Sequence, residues 1–112
     1  MILKEALALI DGALLTAECD LNVELSNVFA SDLMSDVLAF IEAGSLLLTG
    51  LVNAHVVRTA SLADVAAVVF VQGKRPTAEI VTEAQHNNLP LASTALTMFE
   101  ACQRLAPPFR ER

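Results

Sequence analysis

Tryptophan and tyrosine are absent, and five phenylalanines are the only aromatic side chains in the 112 residues. Stacking platforms of the kind that hold single-stranded nucleic acid are therefore scarce. Positive charge is scarce as well. Seven Lys and Arg stand against thirteen Asp and Glu, for a formal charge of −6 and a pI near 4.7. Lys74-Arg75 is the only adjacent cationic pair, and Lys4 is the only base ahead of Arg58. A nucleic-acid surface needs clustered Lys and Arg to displace counterions from phosphate, so that class of partner is excluded. The two cysteines, Cys19 and Cys102, have no C-x-x-C spacing, which argues against a zinc site or a redox pair. They are expected as free buried thiols in a reducing cytoplasm. No Gly/Ser/Pro-rich linker divides the sequence. The longest unbroken apolar run, Val65 to Val71, is far short of the ~20 residues of a membrane span. Glu5 and Asp11 interrupt the apolar N-terminus where a secretory signal needs continuity. A soluble, cytoplasmic protein is expected.

Apolar residues are what the chain has in excess, at 54%. Such a surplus implies elements covered on both faces, or a buried subunit interface. One domain is expected. Leu3, Leu7 and Ile10 share a helical face that Asp11-Gly12 terminates. Residues 13–17 read as a strand, and residues 23–29 as a second one with imperfect alternation. Ser31 or Asp32 can cap a helix bearing Leu33, Met34, Val37, Leu38 and Ile41, with Gly44 as its C′ residue. A strand at 45–49 precedes a helix capped by Asn53 and carrying Val56, Val57 and Ala60. The run 65–71 is β-branched and apolar throughout, the mark of a strand buried on both faces. Pro76 opens a helix with Ile80, Val81 and Ala84, which Asn87-Asn88 breaks. A short strand at 89–92 is followed by a Thr97/Glu100 capping box and a helix through Leu105, which Pro107-Pro108 stops. Strands alternating with helices predict an α/β, three-layer fold with a mostly parallel sheet of consecutive βαβ units.

In open parallel sheets, ligands bind beyond the carboxyl ends of the strands. Three such ends are polar here: Thr49–Asn53, Gln72–Pro76 and Ser93–Thr97. Each leads into a helix N-terminus, where free N–H groups and the dipole favour an anion. Thr49, Gly50, Asn53, Gly73, Lys74, Arg75 and Thr94 are the candidate ligand-binding residues. Lys74 is the main charge contact in this reading, with backbone donors at Gly50 and Gly73. The same residue types are also ordinary caps and turns, so spacing alone leaves both readings open. No Walker G-x-x-x-x-G-K-[ST] or G-x-G-x-x-G motif occurs. Asp32 and Asp36 lie four apart as a carboxylate pair, and His55 sits near the first loop. Ser31, Ser35 and Ser93 lack a G-x-S-x-G elbow. No catalytic set assembles, and no metal ligand set or cofactor motif is found.

Several segments taken together resemble the DRTGG domain. They are Ser31-Asp32-Leu33-Met34-Ser35-Asp36-Val37-Leu38, Thr49-Gly50, Val56-Val57-Arg58-Thr59-Ala60, Phe70-Val71-Gln72-Gly73-Lys74-Arg75-Pro76, Pro90-Leu91-Ala92-Ser93-Thr94 and Met98-Phe99-Glu100-Ala101-Cys102. The likeness spans Asp20–Phe40 and Leu48–Leu105, nearly the whole chain, as expected of a stand-alone member covering residues 1–112. The resemblance implies an α/β fold similar to the N-terminal domain of HPr kinase/phosphorylase. It also implies a regulatory role like that of modules in phosphotransacetylases and in pyrophosphatases that carry nucleotide-binding CBS domains. Some stand-alone relatives bear a hydrogenase label, but two distant cysteines cannot supply the four ligands of an iron–sulfur cluster. The name-giving Asp-Arg-x-x-Gly-Gly region reads Asp20-Leu21-Asn22-Val23-Glu24-Leu25-Ser26 here, keeping only the aspartate.

The combined expectation is a non-enzymatic regulatory domain that binds a small anionic metabolite such as a nucleotide. The alternative is a protein–protein interaction module with no ligand of its own. A surplus of apolar surface on a small chain also predicts a symmetric homodimer.

Overall fold

The structure, a computed structural model that describes residues 1–110, contains five helices and five strands. In chain order these are α1 (Leu3–Leu9), β1 (Ala13–Leu14), β2 (Val28–Ala30), α2 (Met34–Phe40), β3 (Leu46–Thr49), α3 (Ala54–Leu62), β4 (Ala67–Phe70), α4 (Ala78–His86), β5 (Leu91–Ser93) and α5 (Met98–Leu105), followed by a 3-10 turn at Pro107–Phe109. One sheet runs in the order β1-β5-β4-β3-β2. Its β2–β5 portion is parallel, and β1 pairs antiparallel with β5. The predicted α/β class and mostly parallel sheet are both present.

Every residue of β3, β4 and β5 is buried. Successive strand side chains point to opposite faces, so an all-apolar strand feeds two cores at once. Leu46, Leu48, Ala67 and Val69 pack with Leu3 and Leu7 of α1 and with Ala101 and Leu105 of α5. Leu47, Val68, Phe70 and Leu91 turn the other way, onto Met34 and Val37 of α2, Val56 and Val57 of α3 and Ala84 of α4. Full burial of each such side chain contributes about 1.5–3 kcal/mol. The layering follows from topology. Strands β2 to β5 advance in one direction, so crossovers of one hand put α2, α3 and α4 on the same face. After β5 the chain turns to the other face, where α5 joins α1.

With few glycines, the chain ends its helices by other means. After α1, α3 and α4 a residue in the left-handed region is followed by an N–H that reaches back into the last turn. These bonds are Gly12 to Leu7 (2.8 Å), Val65 to Ala60 (2.9 Å) and Leu89 to Ala84 (2.9 Å). The left-handed positions are Asp11 (φ 51°), Asp64 (φ 57°) and Asn88 (φ 54°). Asp and Asn tolerate that conformation better than other side chains, though less well than glycine.

Several boundaries differ from the sequence expectation. Helix α2 starts at Met34 with Leu33 as N-cap and no side-chain cap. Asp32 turns away to bond another loop, and Ser31 Oγ accepts from the Leu33 N–H at 3.0 Å. That helix stops at Phe40, so Gly44 (φ 80°) serves the turn before β3 rather than the helix end. Of the predicted strand 23–29, only Val28 onward pairs with β3. The earlier residues instead bond the start of α1, through Leu3 N–H to Val23 C=O and Leu25 N–H to Met1 C=O, both 2.9 Å. The first strand is two residues rather than five: the Leu15 N–H still donates to the Leu91 carbonyl at 2.8 Å, but the Leu91 N–H goes to the Thr16 hydroxyl (3.2 Å) instead of returning to the Leu15 carbonyl, and the ladder stops.

Candidate functional site

The three loops singled out from sequence lie side by side at the carboxyl edge of the sheet. The Lys74 ammonium donates to the Gly50 carbonyl at 3.2 Å, joining the loop after β3 to the loop after β4. The Gly73 N–H donates to the Thr94 carbonyl at 2.7 Å and the Gln72 N–H to the Leu96 carbonyl at 2.8 Å, joining the loop after β4 to the loop after β5. Gln72 (φ 59°) and Gly73 (φ 68°) are both left-handed, which turns their two N–H groups toward that neighbour.

Juxtaposition is not the same as availability. Neither backbone donor assigned to a ligand is open. The Gly50 N–H points at Asp32 Oδ1 at 2.6 Å, and the Gly73 N–H is held by Thr94. Thr49 is fully buried; its hydroxyl donates to the same Asp32 oxygen at 3.0 Å and accepts from the Leu51 N–H. Thr94 is buried too, its hydroxyl donating to the Ile10 carbonyl at 2.7 Å and accepting from the Leu96 N–H at 3.2 Å. Asn53 caps α3 by accepting from the Val56 N–H at 3.3 Å. Lys74 and Arg75 are exposed.

Asp32, read from sequence as a helix cap or as a partner of Asp36, belongs instead to this edge. It stands in the loop after β2, a fourth strand end on the same edge. Its carboxylate gathers a backbone N–H and a hydroxyl, the donor set an anionic ligand would want. A Cβ placed on Gly50 would lie 3.4 Å from Lys74 Nζ and 3.5 Å from both Asp32 oxygens, so the ammonium and the carboxylate flank the same glycine. The signal was present in principle, but the loop could not be counted among strand ends while the limits of β2 were open.

Two cavities lie elsewhere. One cavity of about 290 Å3 opens at the amino edge of the sheet, between the segment after β1 and the end of α4. A second, of about 300 Å3, lies between β2 and α5. None of the seven predicted ligand residues lines either one. Cys19 lines the first and Cys102 the second, and burial raises the Cys102 thiol above its ordinary pKa, keeping it protonated. Asp36 and His55 are exposed, and neither they nor Asp32 lines these two cavities. Among the described residues no group of three or more His, Cys, Asp or Glu is placed to hold a metal. No helix among them is long and apolar enough to cross a membrane.

A mixed sheet with three helices on one face and two on the other, its strand ends joined by short polar loops, defines a small three-layer α/β domain. The chain belongs to the DRTGG domain family, whose model matches residues 5–107. A solved structure of the CBS and DRTGG domains of the regulatory region of Clostridium perfringens pyrophosphatase, complexed with the activator diadenosine tetraphosphate, is similar to it. The TM-score is 0.75 at 19% identity, over 91% of this chain and 44% of that one. This chain therefore spans less than half the length of that regulatory region, and the likeness is one of fold. No curated protein matches the sequence.

Proposed function

We propose that this domain is a non-enzymatic regulatory module that binds a small anionic metabolite, a nucleotide being the leading class, at the carboxyl edge of its sheet. The observation that carries the reading is the meeting of the three loop tips, with Lys74 between them and Arg75 beside it. In the free domain the Asp32 carboxylate acts as a placeholder on the Gly50 N–H and the Thr49 hydroxyl. A phosphate displaces it and takes charge-assisted bonds from those donors and from Lys74. The regulatory region that shares this fold holds a nucleotide activator, and the unpaired cysteines suit a reducing, cytoplasmic setting.

The test is thermal stabilisation by ATP and by diadenosine tetraphosphate, compared with Lys74→Ala and Arg75→Ala. A ligand at one hundred times its Kd adds about 2.7 kcal/mol. Stabilisation that Lys74→Ala reduces at least tenfold in apparent affinity supports the reading; a flat response at millimolar nucleotide overturns it.

A second reading, a protein–protein interaction module with no ligand of its own, is favoured by Phe40, Leu62 and Phe99, which are 73%, 77% and 76% exposed; a homodimer is compatible with both readings. Sedimentation equilibrium reads the subunit count directly. Association indifferent to Lys74→Ala, with no nucleotide response, selects this reading over the first.

A further inference from the structure

The cavity at the amino edge has a composition opposite to that of the carboxyl edge. Val23, Ala66, Leu89 and Pro90 give it an apolar floor. Around them stand two carboxylates, Glu18 and Asp20, and two amides, Gln85 and Asn88. Among the described residues no Lys, Arg or His lines it. The walls are tied together, because the Gln85 side-chain oxygen accepts from the Ala17 N–H at 3.0 Å, across 68 residues of sequence. Asp20 Oδ1 accepts from the Asn22 N–H at 2.8 Å, which fixes the carboxylate at the head of its turn. Neither Glu18 nor Asp20 forms an ion pair among the described residues.

Asp20 and Val23 both come from the segment that follows β1. Leu21, between them, packs against the α1/α5 core and so anchors this segment. The segment forms one wall of a cavity in which, among the described residues, negative charge has no counter-charge.

We infer that this amino-edge cavity binds a small organic ammonium compound, a primary amine on an apolar body. The apolar body covers Val23, Ala66 and Leu89, and the ammonium donates to Glu18, Asp20 and the side-chain oxygen of Asn88. Two like charges around one cavity repel each other, and a cation between them relieves that repulsion. An anion meets the same carboxylates as a barrier, so discrimination by charge sign is built into the lining. The site is separate from the carboxyl edge, and its ligand has the opposite sign.

Phenethylamine, 3-phenylpropionate and 2-phenylethanol share a ring and differ in head group. Each is titrated into the 15N-labelled chain, following backbone amide shifts. Phenethylamine is expected to shift Ala17, Cys19, Val23 and Asn88, leaving Gly50 and Gly73 in place, with at least about tenfold tighter binding than 3-phenylpropionate. The Glu18→Gln/Asp20→Asn double variant keeps the shape and removes both charges. It is expected to fold with an unchanged spectrum elsewhere and to lose that preference. Equal binding of all three probes, preference for the carboxylate, an unchanged preference in the double variant, or no shift at millimolar amine each overturns the inference. A nucleotide response at Gly50 and Gly73 reports on the other edge alone and leaves this result independent.

Discussion

The two edges of the sheet are built from the same kinds of loop and have reached opposite states. At the carboxyl edge the loops bond one another so completely that Gly50, Gly73, Thr49 and Thr94 all have partners within the chain. Cationic side chains stand exposed above a closed surface. At the amino edge the chain leaves a 290 Å3 hollow with an apolar floor and an acidic, unpaired rim. Polar residues at strand ends therefore do not by themselves make a pocket. What matters is whether neighbouring loops satisfy each other's donors. On the proposed readings, a ligand at the carboxyl edge would compete with Asp32 for the Gly50 N–H and the Thr49 hydroxyl, whereas at the amino edge the carboxylates face no ion-pair partner among the described residues.

The largest effect on this contrast is expected from Thr94→Val. The substitution keeps shape and burial but leaves the Ile10 carbonyl and the Leu96 N–H without their partner. An unsatisfied buried group costs about 1–3 kcal/mol, enough to lower the melting temperature by several degrees. Urea denaturation measures the loss, and hydrogen exchange localises it. The Gly73 N–H should exchange faster while the Leu91 N–H, held by Thr16 at the other edge, keeps its protection. Equal loss at both edges would mean that they are not independent. Asp32→Ala comes next, at about 1 kcal/mol of lost stability. It frees the Gly50 N–H and the Thr49 hydroxyl, so anion affinity at the carboxyl edge should rise even as stability falls. A fall in both would rule out the placeholder role of Asp32.

The sequence carried the layered architecture well, because it is written in residues that have few alternatives. Leu46 to Thr49 and Val65 to Val71 have no polar face to offer solvent, so they must sit between two layers. Thr97 and Glu100 announce a helix start that no neighbour disturbs, with the Thr97 hydroxyl accepting from the Glu100 N–H at 3.2 Å and the Glu100 carboxylate accepting from the Thr97 N–H at 2.9 Å. What the sequence did not carry was partner choice. Asp32 reads as a cap from its own neighbours, yet its carboxylate crosses to Gly50, 18 residues away. Residues 23–27 alternate as a strand does, yet Val23 and Leu25 bond the chain at the start of α1, and only Ser26 and Asn27 turn to the β3 side. The amino-edge cavity was not foreseen because its walls come from positions as distant as Ala17 and Gln85, which only the closed fold brings together. Local pattern fixes elements; nonlocal hydrogen bonds decide which edge is open.

Asn88→Gly tests the amino edge with a smaller effect of opposite sign. Asn88 holds a left-handed φ of 54°; glycine avoids a Cβ penalty of roughly 1–2 kcal/mol there but loses about 0.4–1 kcal/mol through the freer unfolded chain, so a small net gain is expected. The same change removes an amide from the cavity rim. Asp64→Gly, at the equivalent end of α3 (φ 57°), relieves the same strain without touching that lining. Stabilisation in both variants, with amine binding weakened only in Asn88→Gly, would separate the backbone role from the ligand role. No gain in either would mean that Asp and Asn carry no strain at these helix ends.

The smallest effect belongs to Glu100, which lines neither cavity and serves as the reference for changes that touch neither. Hydrogen bonds from the Thr97 backbone and hydroxyl lower its pKa below the ordinary 4.5, with Arg104 adding a minor attraction in the same direction. A carboxyl group whose pKa is lower in the folded state stabilises the fold in its ionised form. That contribution is complete above pH 4.5, the ordinary value, and fades as pH falls through the lowered folded value. Its place in the first turn of α5 adds favourable interaction with the helix dipole. Glu100→Gln retains an oxygen that can accept from the Thr97 N–H and removes only the charge. The melting temperature of the parent should therefore exceed that of the variant slightly near neutral pH, and the two should converge as pH drops from about 6 to about 3. A difference that persists undiminished in acid would assign the effect to the geometry of the capping box rather than to ionisation.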